Sequence, residues 1–178
     1  MYPEPYIQFL VHFHGDRDYF ECHEILEEYW KELANEGKTS IWVGLILVAV
    51  SNYHYRRNNL NGAFKTLAKA ISIFQDNKHC SVELGIDMVQ MLSFLSNRLL
   101  EIQSDVPYSS FNLPIVDKSL LKQCQDISTE KGFMWGKSSD FAKRELLHRH
   151  TLRDRTEVFQ EREKAILNRN KKEGRNLV

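Results

Sequence analysis

The chain has 178 residues, enough for one well-buried domain or a compact core with an appended tail, and the second arrangement is the expectation. Lys plus Arg and Asp plus Glu both number 24, which excludes a general attraction to nucleic acid or anionic lipid from net charge alone. The balance is uneven along the chain: acids exceed bases over 1–33, and bases lead over 131–178, as in "KRELLHRHTLRDR" and "NRNKKEGR". Such segregation implies two different surfaces.

Cys22, Cys80 and Cys124 are widely spaced and odd in number, with no CxxC pair, and are read as reduced thiols of a cytoplasmic protein. The stretch "MYPEPYIQFLVHFHGDRD" has no basic leader before a long apolar run and is not read as a signal peptide. The most apolar segment, "IWVGLILVAV", is far shorter than the roughly 20 residues that cross a bilayer, so it is expected to be a buried helix and no membrane contact is expected.

Gly and Pro are scarce, at 8 and 4, and the apolar residues recur at helical spacing, which predicts an all-α protein. Asp16 or Asp18 is the candidate cap of a first long helix running to about 35, where "NEGKTS" stops it and Thr39 or Ser40 caps the next. A second helix is expected over 41–57, a turn at "NNLNG", and a third helix over 62–74 with Ala63, Leu67, Ala70, Ile71 and Phe74 on one face. Short connections make these antiparallel neighbours. A fourth helix is expected over 81–103, with Val82, Ile86, Val89, Leu92, Leu95 or Ser96, Leu99 and Ile102 near one seam. "SDVPYSSFNLPIVD" reads as a loop, followed by a short helix over 117–127 and charge-rich helix over 140–170 that needs a partner surface or stays exposed. The expected architecture is a compact antiparallel bundle of about four core helices in 1–103, a linker over 104–116 and a helical, charge-rich C-terminal extension over 117–178.

The densest chemistry lies in "DYFECHEILEEYW". At 3.6 residues per turn, Tyr19, Cys22, His23, Leu26, Trp30 and Leu33 share a face, Glu24, Glu28 and Lys31 point away, and Glu21 sits on the flank. Glu27 lies one turn after His23, within reach of the imidazole. Ser51, His54, Tyr55 and Asn58 follow the apolar run of the second helix, and antiparallel packing would let His54 face Glu21, His23 or Glu24. Three readings fit this cluster: hydrogen bonds that fix helix register, a divalent metal held by His23, Glu27 and His54, or metal-free catalysis. "HEILE" is not the metalloprotease pattern, because Glu27 stands where the second histidine is needed. Cys22 reads as a small buried residue, since no third catalytic member is visible beside it.

These residues resemble the small helical family named domain of unknown function 309, whose pattern is "FExHExLExxW", then an apolar helix containing "GLI", and a histidine followed by "GNxxGA". The matching stretches are "YFECHEILEEYW", "VGLILVAVSNYH" and "RRNNLNGAFKTLAKA", over about 18–70. The resemblance marks Phe20, Glu21, His23, Glu24, Leu26, Glu27 and Trp30, then Gly44, His54, Asn59, Gly62 and Ala63. Asn58 stands where the family has glycine, and Val43 and Leu47 where it often has glutamine. "NYHYRRNNLNGAFKTLAKAI" is also similar to one tetratricopeptide unit, but such arrays need about three repeats.

The resemblance implies a helical domain without an established activity. The expected function is therefore interaction or ligand binding around Glu21, His23, Glu24, Glu27, His54 and Asn59, with a partner protein or a second copy. The alternative is a metal-dependent hydrolase or oxidoreductase with Glu24 or Glu21 as general base, and a weaker one is nucleic-acid binding through 143–175.

Overall fold

The computed structural model describes residues 1–33, 37–77 and 81–152. Its helices are α1 Glu4–His14, α2 Tyr19–Glu32, α3 Ile41–Arg56, α4 Leu60–Asp76, α5 Ser81–Leu84, α6 Met88–Gln103, α7 Lys118–Glu130 and α8 Arg144–Leu152. The protein is all-α; among the described residues extended pairing is limited to an isolated bridge between Ile86 and Ile115. The chain divides into two units, Met1–Leu147 and His148–Val178. Of the second, the described part is the end of α8, where His148 leaves helical geometry at φ −122° and ψ 22°. The helix expected on to 170 and the basic stretch to 175 lie largely outside the described residues, as does Cys80.

Short polar side chains set the helix starts. Asp18 accepts from the Glu21 amide at 3.1 Å, Ser40 from Trp42 at 3.3 Å, Asn59 from Gly62 at 3.1 Å and Asp87 from Gln90 at 2.9 Å. Asp117 accepts from both Ser119 and Leu120, at 2.7 and 3.1 Å. Each such cap satisfies a donor that the first turn leaves open and is worth about 1 kcal/mol.

Within Met1–Leu147, α3 packs between α2 and α4, α6 lies on α4, and α1 packs on both α2 and α7. The helix α1 was not expected. Tyr6, Ile7, Phe9, Leu10, Val11, Phe13 and His14 are all buried on it, opposite an edge of Glu4, Gln8 and His12. The continuous helix expected over 81–103 is corrected to two pieces. Gly85 takes φ +62°, where a Cβ would meet the Tyr2 hydroxyl at 2.5 Å, and Asp87 restarts the helix. The buried face of α6 becomes Met88, Met91, Leu95, Arg98 and Ile102, whereas Val89 is 81 % exposed. Gly44 lets α3 and α4 approach closely, since a Cβ there would lie 2.8 Å from the buried Phe74 ring.

The segment after α6 packs on the core without regular structure of its own. Leu113 is buried, Tyr108 and Phe111 pack against the apolar cluster, and the Tyr55 hydroxyl donates to the Val106 carbonyl at 2.5 Å. Among the described residues no helix is long and apolar enough to cross a membrane.

Candidate functional site

Helix α2 buries Tyr19, Cys22 and Leu26, which places His23 at the border between that stripe and solvent. Its side chain is 28 % exposed. Nδ1 lies 3.0 Å from Glu24 Oε1, and Nε2 lies 3.1 Å from Glu27 Oε2. The other oxygen of Glu27 takes Lys31 Nζ at 3.1 Å. The i,i+4 spacing produces the Glu27 contact. Glu24, which the helical wheel sends outward, bends back to the ring of its own neighbour.

His54 does not join this group. Asn59 Nδ2 donates to its Nδ1 at 2.9 Å, while Asn59 Oδ1 caps α4, so both side chains serve the α3–α4 turn. Asn58 closes that turn in the left-handed region at φ 59°. Burial, then the nearby Arg57 guanidinium, lowers the His54 pKa and favours the neutral ring that this bond needs. Two rings stand in the chain of contacts between the imidazoles: Phe20 lies 6.2 Å from His23 and 6.2 Å from Tyr53, and Tyr53 lies 6.4 Å from His54. Among the described residues the group whose metal-ligating atoms lie within 4.8 Å of one another is His23, Glu24 and Glu27.

Glu21 faces a different surface. With Ile25, Glu28, Tyr29 and Glu32 of α2 and Glu4, Pro5, Gln8 and His12 from α1, it lines a groove of about 400 Å³ that Lys131 borders. Positions 4, 8 and 12 run along the solvent-facing edge of α1 and 21, 25, 28 and 32 along the half-buried to exposed side of α2, so the groove lies at the outer edge of the α1–α2 contact. Its lining has four carboxylates against one lysine, with Pro5, Ile25 and Tyr29 as its apolar members. His12 is held in it by Asp16, whose carboxylate lies 3.1 Å from Nδ1.

A buried polar network went unread in the sequence. Arg17 is 2 % exposed and donates to the carbonyls of Phe13, Phe111 and Lys137 at 2.7, 2.9 and 2.7 Å, and to Asn112 Oδ1 at 2.7 Å. Arg56 donates to the Arg17 carbonyl at 2.8 Å and to the Leu146 carbonyl at 2.9 Å, with its guanidinium 5.0 Å from the centre of the Tyr19 ring. His14 donates from Nδ1 to the Leu10 carbonyl at 2.8 Å, accepts the Leu113 amide on Nε2 at 3.0 Å, and stacks on Trp135 at 4.4 Å. Nothing in the periodicity of "HFHGDRD" signals these roles, because a buried arginine and a surface arginine read alike. Burial pushes the Cys22 thiol well above its ordinary value, with its sulfur 3.6 Å from the Phe9 carbonyl, so it is no activated nucleophile.

The family model described as "Domain of unknown function (DUF309)" matches residues 6–66, which takes in most of α1, all of α2 and α3 and the start of α4. The chain is 43 % identical over 171 residues to "Uncharacterized protein YpuF" of Bacillus subtilis (strain 168), an alignment covering 96 % of this chain and 98 % of that protein. No solved structure matches. A full-length relative at this identity, together with the family model over the α1–α3 core, places the chain plainly: it belongs to the DUF309 family.

Proposed function

We propose that the protein is a cytoplasmic helical binding module that receives a lysine- or arginine-rich segment of a partner protein in the groove between α1 and α2. One observation carries this reading: Glu4, Glu21, Glu28 and Glu32 line a groove of about 400 Å³ together with the apolar Pro5, Ile25 and Tyr29. Carboxylates of one sign along a concave wall attract a cationic partner from a distance, and the apolar members take up the methylene stems of its side chains. Among the described residues, the free, buried thiols Cys22 and Cys124 support the cytoplasmic part of the reading.

Binding of a fluorescent oligo-arginine peptide, followed by anisotropy at low and high salt, tests the proposal. The expected result is saturable binding that weakens with salt and drops about tenfold or more in Glu21→Lys/Glu28→Lys, a loss of the size reported for like-charge juxtaposition. The exposed control Glu83→Lys should bind as the parent does. Equal binding by the groove variant and the control would sink the reading.

A further inference from the structure

The geometry points to a second site, independent of the groove: His23 Nε2 and Glu27 form a chelate for a divalent cation of the zinc class, and Glu24 holds the ring in position for it. Two donors 3.1 Å apart, each about 2.1 Å from a common ion, subtend roughly 95° at that ion, a bite that tetrahedral and octahedral coordination both accept. The pair comes from one turn of a single helix, capped by Asp18 and anchored by the buried Tyr19, Cys22 and Leu26, so its spacing is fixed by backbone rather than by a mobile loop.

The opposite edge of the ring supplies the second observation. A metal-ligating imidazole needs its other N–H given to an acceptor, which fixes the tautomer and makes the ligating nitrogen more basic. Glu24 Oε1, 3.0 Å from Nδ1, is that acceptor. Lys31 holds Glu27 Oε1 from the far side, which leaves Oε2 turned toward the imidazole. The side chains of His23, Glu24 and Glu27 are 28, 33 and 34 % exposed. The remaining coordination positions therefore open to solvent, where water or the carboxylate or phosphate of a ligand completes the shell. His54, committed to Asn59, is not among the donors.

Titration of the tag-free full chain with zinc alone and cobalt(II) alone, by calorimetry and by the imidazole nitrogen resonances, tests this. The expected result is one ion per chain and a shift at His23 Nε2 rather than Nδ1. His23→Gln should abolish binding with the helical circular dichroism intact, and Glu24→Gln should weaken it about tenfold at unchanged stoichiometry, as expected for a residue that acts through the ring. Affinity unchanged in His23→Gln, a shift at Nδ1, or no uptake in stoichiometric excess of either metal would each overturn the assignment. The groove variant Glu21→Lys/Glu28→Lys should retain metal binding, which keeps the two sites distinguishable.

Discussion

His14 is neutral in the folded protein for a reason the bond pattern makes plain. Its Nε2 must stay unprotonated to accept the Leu113 amide, and burial lowers its pKa from 6.5 to about 4, with the Arg17 charge adding to the effect. The unfolded chain takes up a proton that the folded one refuses between those two values. Stability is then fully present above pH 6.5 and falls as the pH drops toward 4, by up to about 3 kcal/mol for this residue alone. Urea unfolding at neutral pH and near pH 4 should show that decline, and His14→Phe should start lower and lose this part of the slope. A parent slope equal to that of His14→Phe would mean that His14 is not held neutral. At this same scale the sequence was only partly legible. The contact of Glu27 with His23 follows from spacing along one helix, but the partner of His54 depends on how the last turn of α3 is rotated relative to the α3–α4 turn. Asn59, five residues away in sequence, reaches it first.

Among the elements, α2 and α4 were readable from an apolar stripe and α3 from its continuous apolar run, each behind a short polar cap, and Asp18 and Ser40 are among the caps the sequence offered. Helix α1 went unread although Glu4, Gln8 and His12 recur at helical spacing opposite its buried face, and Pro5 and Glu4 at its start and Gly15 after its end were usable signals. The seam expected over 81–103 holds at Ile86, Leu95 and Ile102, with Leu92 and Leu99 packed against it, but Gly85 breaks the helix, and over the first turn of α6 the buried positions are Met88 and Met91 rather than Val89. Gly44 gives the element scale its own test. The Phe74 ring it faces is fully buried and cannot swing aside, so Gly44→Val should force α3 and α4 apart and cost about 1 to 3 kcal/mol by thermal or urea unfolding. A change below about half a kcal/mol would mean that Phe74 does not limit the approach of α3 and α4.

For the unit Met1–Leu147, the buried network decides how the molecule comes apart. Arg17, Arg56 and His14 tie the segments around 111–113 and 135–146 to α1, α2 and α3 through hydrogen bonds that water cannot replace without opening the core. Unfolding of this unit should be a single transition. Trp42 sits in the α3 part and Trp135 stacks on His14, so fluorescence from single-tryptophan variants reporting on each should coincide with the loss of helical circular dichroism. An earlier transition at Trp135 alone would show that the later segments detach first.

Arg17 carries one more consequence, for which routes of sequence change stay open. It holds a left-handed backbone at φ 61°, a conformation that glycine or asparagine adopts more cheaply, while its guanidinium spends its donors on four separate acceptors. Glycine relieves the backbone and abandons the acceptors; lysine keeps a charge but cannot span them. The two demands pull toward different residues, so no single replacement satisfies both, and a mutational scan should find position 17 intolerant to glycine, asparagine and lysine alike, within a turn already constrained by the buried cap Asp18 and by the tight packing at Gly15.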